Sequence, residues 1–301
     1  MDHVSKIGVV TVTYNSSQVL EGFLTSLLRQ TYSDFVLYVV DNASADKTLE
    51  QLSSNKDPRI CLIANPQNLG IAEGNNQGIR SALAAGCGSV LLLNNDTEFG
   101  PSLLEDLTSG LQAHACDMSA PKILFHDNQR TIWSAGGGFN PLKGYAGFHY
   151  GLGQIDRGQF DEARSVKHAP ACCLLIRKEV FEQIGLMDDL YFVYLDDTDF
   201  CYRAMRAGLK LVYLPSANLL HKASSLTGGP ESEFSVRYRT RNQIYFILKH
   251  LGPWRGLYYL PAFQLYQLAK LVSRKIDISG FFVREKAFWE GLRVWRHSIA
   301  Q

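Results

Sequence analysis

What the chain lacks narrows the field before any motif is read. No apolar run in its 301 residues reaches the roughly 18 that a membrane-crossing helix needs. The six cysteines, Cys61, Cys87, Cys116, Cys172, Cys173 and Cys201, include no C-x-x-C pair. Five of them lie beside apolar or small residues, as buried thiols do, which argues for a reducing compartment. Low-complexity tracts and internal repeats are missing. With 46% hydrophobic and 20% charged residues, the composition is that of a folded globular protein. The start, MDHVSKIGVVTVTYN, enters a strand pattern at once, without the apolar stretch and cleavage site of a signal peptide, so a cytoplasmic protein is expected.

Net charge is also nearly absent, at +1, but that figure hides an asymmetry. Residues 237–301 carry 12 Lys+Arg against 3 Asp+Glu, whereas residues 1–236 carry 18 against 26. The basic tail is rich in Trp, Tyr, Phe and Leu, so anionic membrane headgroups suit it better than nucleic acid. The plainer alternative is that it docks on the acidic body. The length suits one α/β domain with a C-terminal extension.

What is present is an alternation. Strand-like runs at 7–13 (IGVVTVT), 35–41 (FVLYVVD), 59–64 (RICLIA) and 89–94 (SVLLLN) alternate with segments of helical period at 19–28, 45–52, 72–85 and 103–113. That pattern predicts a mostly parallel sheet flanked by helices. Each strand ends in a polar cluster: Tyr14-Asn15-Ser16-Ser17, Asp41-Asn42-Ala43-Ser44, 65–70, and Asn94-Asn95-Asp96-Thr97. One such cluster is explained by a helix N-cap; four on the carboxyl edge of one sheet suggest a ligand crevice. The Gly-rich stretch 134–159 reads as a long loop or irregular hairpin. A buried strand and a short helix follow over 171–185, then a strand-like YFVYL (191–195), an acidic cluster, a helix ending at Gly208 and a strand LKLVYLP. Beyond Phe234 the pattern is helical, in three segments broken near Gly252-Pro253 and 277–280.

Three places could carry chemistry. Asp96 puts a carboxylate at a strand end, where a hard cation could bridge it to a diphosphate, although a lone Asp there is more often a turn former or cap. Asp196, Asp197 and Asp199 place three carboxylates in four positions, and like charges held close suit a general acid or base. Asp199 with Arg203 also fits an ordinary i,i+4 pair. His221 closes an apolar run as either a structural histidine or a ligand for a Mn²⁺-like ion. No G-x-G-x-x-G follows the first strand, which counts against a dehydrogenase. No Lys or Arg stands in VTYNSS, which counts against a sugar nucleotidyltransferase.

Taken together, VVTVTYNSS, VVDNASADKT, NPQNLGIAEGNNQGI, LLLNNDTEF, CCLLIRKEVFEQIGLMDDLYFVYLDDTDFCYRAMRAG, LPSANLLHKASS and RYRTRNQIYF, in order over residues 7–246, resemble glycosyltransferase family 2, and within it the bacterial rhamnosyltransferase-like group. The resemblance implies a GT-A fold: a nucleotide-sugar-binding part at 1–115, an acceptor and catalytic part at 116–235, and a helical basic-aromatic extension at 236–301. It implies an inverting transfer, with rhamnose from dTDP-rhamnose as the first guess and UDP- or GDP-sugars behind it. The implied acceptor is a saccharide or polyprenol-linked saccharide. A non-catalytic nucleotide-sugar sensor is the competing class.

Residue by residue, the resemblance sets Thr11, Tyr14, Asn15, Asp41 and Asn42 around the base and ribose, and Asn68, Gly70, Asn75 and Asn76 around the donor. Asn94-Asn95-Asp96 stands at the family's D-x-D position, so Asn94 replaces its first carboxylate. Asp197, preceded by Asp196, stands at the catalytic base, with Arg203 on the substrate side. Asp96 and His221 are the implied ligands of a divalent cation, Mn²⁺ or Mg²⁺. The small residue opening the acceptor-side strand is Ala171, where the family often has Gly. Peripheral contact with the cytoplasmic face of the inner membrane through 237–301 is expected, and no nucleic-acid partner.

Overall fold

The computed structural model describes residues 6–223, 229 and 231–300. Four strands, β1 (Ile7–Thr13), β2 (Phe35–Asp41), β3 (Ile60–Ala64) and β4 (Ser89–Leu93), pair in parallel in the order β3-β2-β1-β4. Their runs of Val, Ile and Leu suit strands covered on both faces. Helix α1 (Leu20–Leu28) packs Leu20, Phe23 and Leu27, spaced three to four apart, into the core cluster of one face, with Val9, Leu37 and Leu91. Helix α2 (Thr48–Ser54) joins β2 to β3. Helix α3 (Gly70–Ala84) covers the other face, with Ala72, Ile79 and Ala82 in the cluster of Val10 and Leu92. It approaches β1 so closely that a Cβ at Gly78 would stand 2.3 Å from the Val10 side chain, which explains a glycine inside a helix.

The second half is a mixed sheet. After β5 (Thr97–Phe99) and α4 (Leu103–Ala113) come β6 (Met118–Phe125), β7 (Ile132–Ser134), a hairpin of β8 (Gly137–Asn140) with β9 (Ala146–His149), β10 (Arg164–Val166), β11 (Cys173–Arg177) and α5 (Lys178–Ile184). Helix α6 (Asp196–Arg206) and β12 (Leu211–His221) follow, then α7 (Glu233–Val272) and α8 (Ile278–Ser298). β11 lies antiparallel between β4 and β6, and β12 runs parallel to β6 with a register shift between Leu214 and Asn218. The last residues of β12 turn to pair with β5, His221 opposite Thr97. That pairing decides the site.

The eight elements expected before residue 115 stand where the periodicity puts them, within three residues at each end. The stretch 134–159 holds the irregular hairpin. One expectation fails: 191–195 is not a strand. A short 3₁₀ turn (Asp189–Tyr191) leads into Phe192, Tyr194 and Leu195, which have φ of 62°, 64° and 63°. Aromatic and branched side chains read as strand formers, but here their backbone is held left-handed from outside the segment. The tail has its three helical segments: α7 is bent at Gly252, φ 77°, ahead of Pro253, and α8 begins after a turn. Among the described residues no helix is long and apolar enough to cross a membrane.

Candidate active site

The carboxyl edge of β1, β2 and β4 gathers most of the polar residues singled out above. The Asp41 carboxylate, fully buried at the end of β2, accepts from Thr13 Oγ1 at 2.8 Å, Ser44 Oγ at 2.6 Å and the Ser44 N–H at 2.9 Å. Asn15, left-handed at φ 52°, accepts from the Ala45 N–H at 2.8 Å, so the loops after β1 and β2 brace each other beside the exposed Tyr14. Asn42 donates to the Gly70 carbonyl at 2.9 Å, and Asn68 accepts from the Gly70 N–H at 2.9 Å. Together they fix the entrance to α3. Asn95 donates to the Val12 carbonyl at 2.6 Å. Its Oδ1, like Thr11 Oγ1, is buried with no hydrogen-bond partner among the described residues, as expected where a ligand would supply one.

Asp96 and His221 meet because β5 closes on the end of β12. His221 Nε2 lies 3.3 Å from Asp96 Oδ1, both side chains buried. Burial alone would lower the His221 pKa, but contact with Cys172 and with the Asp96 carboxylate raises it; a cation bound here would displace that proton, since imidazole ligates a metal only as the neutral ring. Among the described residues no group of three or more His, Cys, Asp or Glu converges on one point. Two side chains fit a cation that draws its remaining ligands from a diphosphate and water, not one caged by protein.

Asp197 reaches the same place from another direction. It sits in the first turn of α6, half-buried; its Oδ1 accepts from the Thr198 N–H at 2.6 Å and its Oδ2 from the Ala171 N–H at 3.4 Å. The next residue, Cys172, touches His221, and its carbonyl accepts from the Asn94 N–H at 2.9 Å. The dipeptide Ala171-Cys172 therefore has Asp197 on one side and the Asp96–His221 pair on the other. Asp196 is buried beside it, and burial followed by the charge of Asp197 pushes its pKa up to about 8.

Some expected residues face elsewhere. Arg203 was expected on the substrate side, but its guanidinium donates to Asp199 Oδ2 at 2.7 Å and to the carbonyls of Ile184 at 2.5 Å and Leu186 at 2.8 Å. It is a brace behind α6. Asn76 exchanges two hydrogen bonds with the Met187 backbone, at 2.8 and 3.0 Å, and Asn75 donates to the Met187 sulfur at 3.5 Å. Both fasten α3 to the loop ahead of α6.

Other residues went unnoticed in the sequence. Trp133 stands edge-on between His221, at 4.5 Å between ring centroids, and His149, at 4.7 Å. His149 stacks on His168 at 5.5 Å, and His168 Nε2 lies 3.4 Å from Thr198 Oγ1, beside Asp197. Burial, then the neighbouring His168, lowers the His149 pKa to about 4, so this ring is neutral at physiological pH. The series links the two ends of the site through β7, β9 and the segment before β11. Irregular spacing within a Gly-rich stretch gave it no periodic signal. Two cavities, one of about 660 Å³ beside α4 and one of about 430 Å³ behind α6, include neither Asp96 nor Asp197.

Comparison with known proteins agrees with this architecture. The sequence description of "Glycosyl transferase family 2" matches residues 8–185. An N-acetylglucosaminyl-diphospho-decaprenol L-rhamnosyltransferase of Mycobacterium tuberculosis is 28% identical over 267 residues, 82% of this chain and 86% of that protein. The dTDP-rhamnosyl transferase RfbF of Shigella flexneri is 24% identical over 257 residues, 83% and 82% of the two chains. Among solved structures, S. aureus TarS 1-349 in complex with UDP-GlcNAc superposes with a TM-score of 0.61 at 16% identity, covering 96% of this chain and 81% of that one. The mannosyltransferase PcManGT of Pyrobaculum calidifontis, in complex with GDP-Man and Mn²⁺, gives 0.57 at 12% identity, covering 99% and 87%.

Proposed function

Since this chain belongs to glycosyl transferase family 2, we propose that it is an inverting enzyme that moves rhamnose from dTDP-rhamnose to a hydroxyl of a lipid-linked saccharide in cell-surface polysaccharide synthesis. That it is a glycosyltransferase using nucleotide-sugar donors follows from the family; the sugar and acceptor rest on the names of its relatives. The observation that carries the mechanism is the Ala171-Cys172 junction, which brings Asp197 and the Asp96–His221 pair to opposite sides of one dipeptide.

In this reaction Asp197 takes the proton of the acceptor hydroxyl. The freed oxygen attacks the anomeric carbon from the face away from the diphosphate, whose bond to that carbon breaks with its electron pair, and configuration inverts. Thr198 holds Asp197 by a short N–H bond. Tyr14, Asn15 and Asp41 would border the nucleoside, and Asn42, Asn68 and Gly70 the donor pocket, with Thr11 and the orphaned Asn95 Oδ1 beneath. Asp96 and His221 would hold a divalent cation, which would neutralise charge on the departing diphosphate.

A thermal-shift panel of nucleotide sugars with Mn²⁺ identifies the donor; turnover then tests the roles. Asp197→Asn should lose at least about a hundredfold in kcat with donor binding kept. Asp96→Ala should instead weaken Mn²⁺-dependent donor binding by calorimetry. Near-normal turnover in Asp197→Asn removes the mechanism.

The same reading includes contact with an anionic bilayer. Beyond Gly252, Trp254, Leu257, Tyr258, Leu265, Leu268 and Val272 all fall on one side of α7 and are exposed, Trp254 by 83% and Val272 by 84%. Ile278, Phe282 and Trp289 continue an exposed apolar stripe along α8, and Arg255, Arg274, Lys275 and Lys286 are exposed around them. A second copy of this chain would bring like charges together, whereas anionic headgroups neutralise them. The chain should float with vesicles containing anionic lipid and stay behind with zwitterionic ones; failure to bind either ends this reading.

A further inference from the structure

The segment that delivers Asp197 is not self-supporting. Between the 3₁₀ turn and α6 lie Phe192, Tyr194 and Leu195, three non-glycine residues held left-handed. A branched or aromatic residue adopts that conformation only where its surroundings over-determine it. The surroundings come from α7. Asn242, fully buried, aims its amide Nδ2 at the carbonyls of Tyr191, Val193 and Tyr194, at 2.9, 2.7 and 2.8 Å. Its Oδ1 has no hydrogen-bond partner among the described residues, so the group serves as a donor to this turn alone. Arg241 donates to the carbonyls of Leu190 and Tyr191. Tyr238 stacks on Phe192 at 5.2 Å, and Ser235 Oγ lies 2.8 Å from Tyr194 Oη. The turn carries this geometry in both directions: the Phe192 carbonyl accepts from the Ile71 N–H at 2.6 Å at the start of α3, and the Leu195 carbonyl accepts from the Asp199 N–H in the first turn of α6.

We propose that Asn242, with Arg241, is a positioning residue for the transfer reaction: from α7 it clamps the left-handed 192–195 turn and so sets the Asp197 carboxylate against the acceptor. Through these two side chains α7 acts on the active site. This rests on Asp197 being the base. The turn lies directly ahead of Asp196 and Asp197, so a shift of an ångström at the turn is passed to the carboxylate with little loss, and a misplacement of that size costs about a hundredfold in rate. On the nucleoside side, Asn15 and Asp41 are held by bonds between the loops after β1 and β2, away from this turn.

The test is steady-state kinetics on the full chain, with the donor selected by thermal shift and well below each variant's unfolding temperature, together with donor binding by calorimetry. Asn242→Ala should lower kcat by about ten- to a hundredfold and leave donor Kd within about threefold. Asn242→Ser, which keeps one donor, should fall between it and wild type, and stands in should the alanine variant not fold. Ile244→Ala removes a fully buried side chain from the same helix without touching the turn. It should lower the unfolding temperature yet keep kcat within about twofold. Equal kcat losses in Ile244→Ala and Asn242→Ala, or wild-type kcat in Asn242→Ala and Asn242→Ser, overturn the clamp while Asp197→Asn remains inactive. An active Asp197→Asn overturns both the base and its clamp.

Discussion

Helix α7 is two helices put to opposite uses. Before Gly252, its apolar residues face the body: Ile244, Tyr245, Phe246, Ile247 and Leu248 are buried, and Tyr245 and Phe246 cluster with Tyr191 and Tyr202. Its polar residues reach the same way, Lys249 and His250 each meeting Asp199 at 2.6 Å. After Gly252, the inner face keeps only Gly256, Gln267 and partners such as Phe263, which stacks on Phe288, while Trp254, Leu257, Leu265 and Val272 point away from the protein. Amphipathicity alone does not say which side of a helix a protein will cover. The bend at Gly252 separates the two halves, and only the first lays its apolar face in the core.

The comparison can be broken by substitutions of graded effect. The largest belongs to the first half: Phe246→Ala should cost about 3–5 kcal/mol in denaturant unfolding, as expected for a fully buried aromatic. Close behind, Asp199→Asn should cost about 3 kcal/mol at pH 7, since it removes the buried partner of Lys249, His250 and Arg203. Burial would raise the Asp199 pKa, but the hydrogen bond from His250 and the charges of Lys249 and Arg203 hold it well below the usual carboxylate range. A depressed carboxylate stabilises the fold above its unfolded pKa near 4, and that contribution is lost as pH falls towards the folded value. The gap between wild type and Asp199→Asn should therefore be full at pH 7 and narrow below pH 4; a gap independent of pH would show that the charge contributes nothing.

At the hinge, Gly252→Ala should cost about 1–3 kcal/mol, because φ 77° with ψ 168° is open essentially to glycine. The smallest effect is expected beyond it: Leu257→Ser and Leu265→Ser should each change stability by no more than about 0.5 kcal/mol. The double variant should nevertheless lose flotation with anionic vesicles. A large stability loss there would mean that the stripe is core.

Much of the first 115 residues was legible because each strand and helix buries its own periodic face, so local pattern and final structure agree. Asp41, Asn42, Asn68 and Gly70 could be placed at a common edge from strand order alone. Arg203 and Asn76 were misjudged because a polar side chain beside a site looks the same in sequence whether it faces a ligand or a backbone carbonyl. The 191–195 run was misjudged because Phe, Val and Tyr favour strands, and the donors that bend it stand some fifty residues away, on Arg241 and Asn242. Trp133, His149 and His168 escaped because irregular backbone has no period to read.

The order of strands and helices, the polar edge where they end and the acidic pair that opens α6 were written in local sequence, since each depends on neighbours a few residues apart. Tertiary structure alone decided that β5 would close on β12 to join Asp96 with His221, that Ala171-Cys172 would carry Asp197 to the same place, and that one half of α7 would grip the turn beneath it while the other faced outward. Those outcomes depend on hydrogen bonds and packing between residues about thirty to well over a hundred positions apart, which no local periodicity encodes.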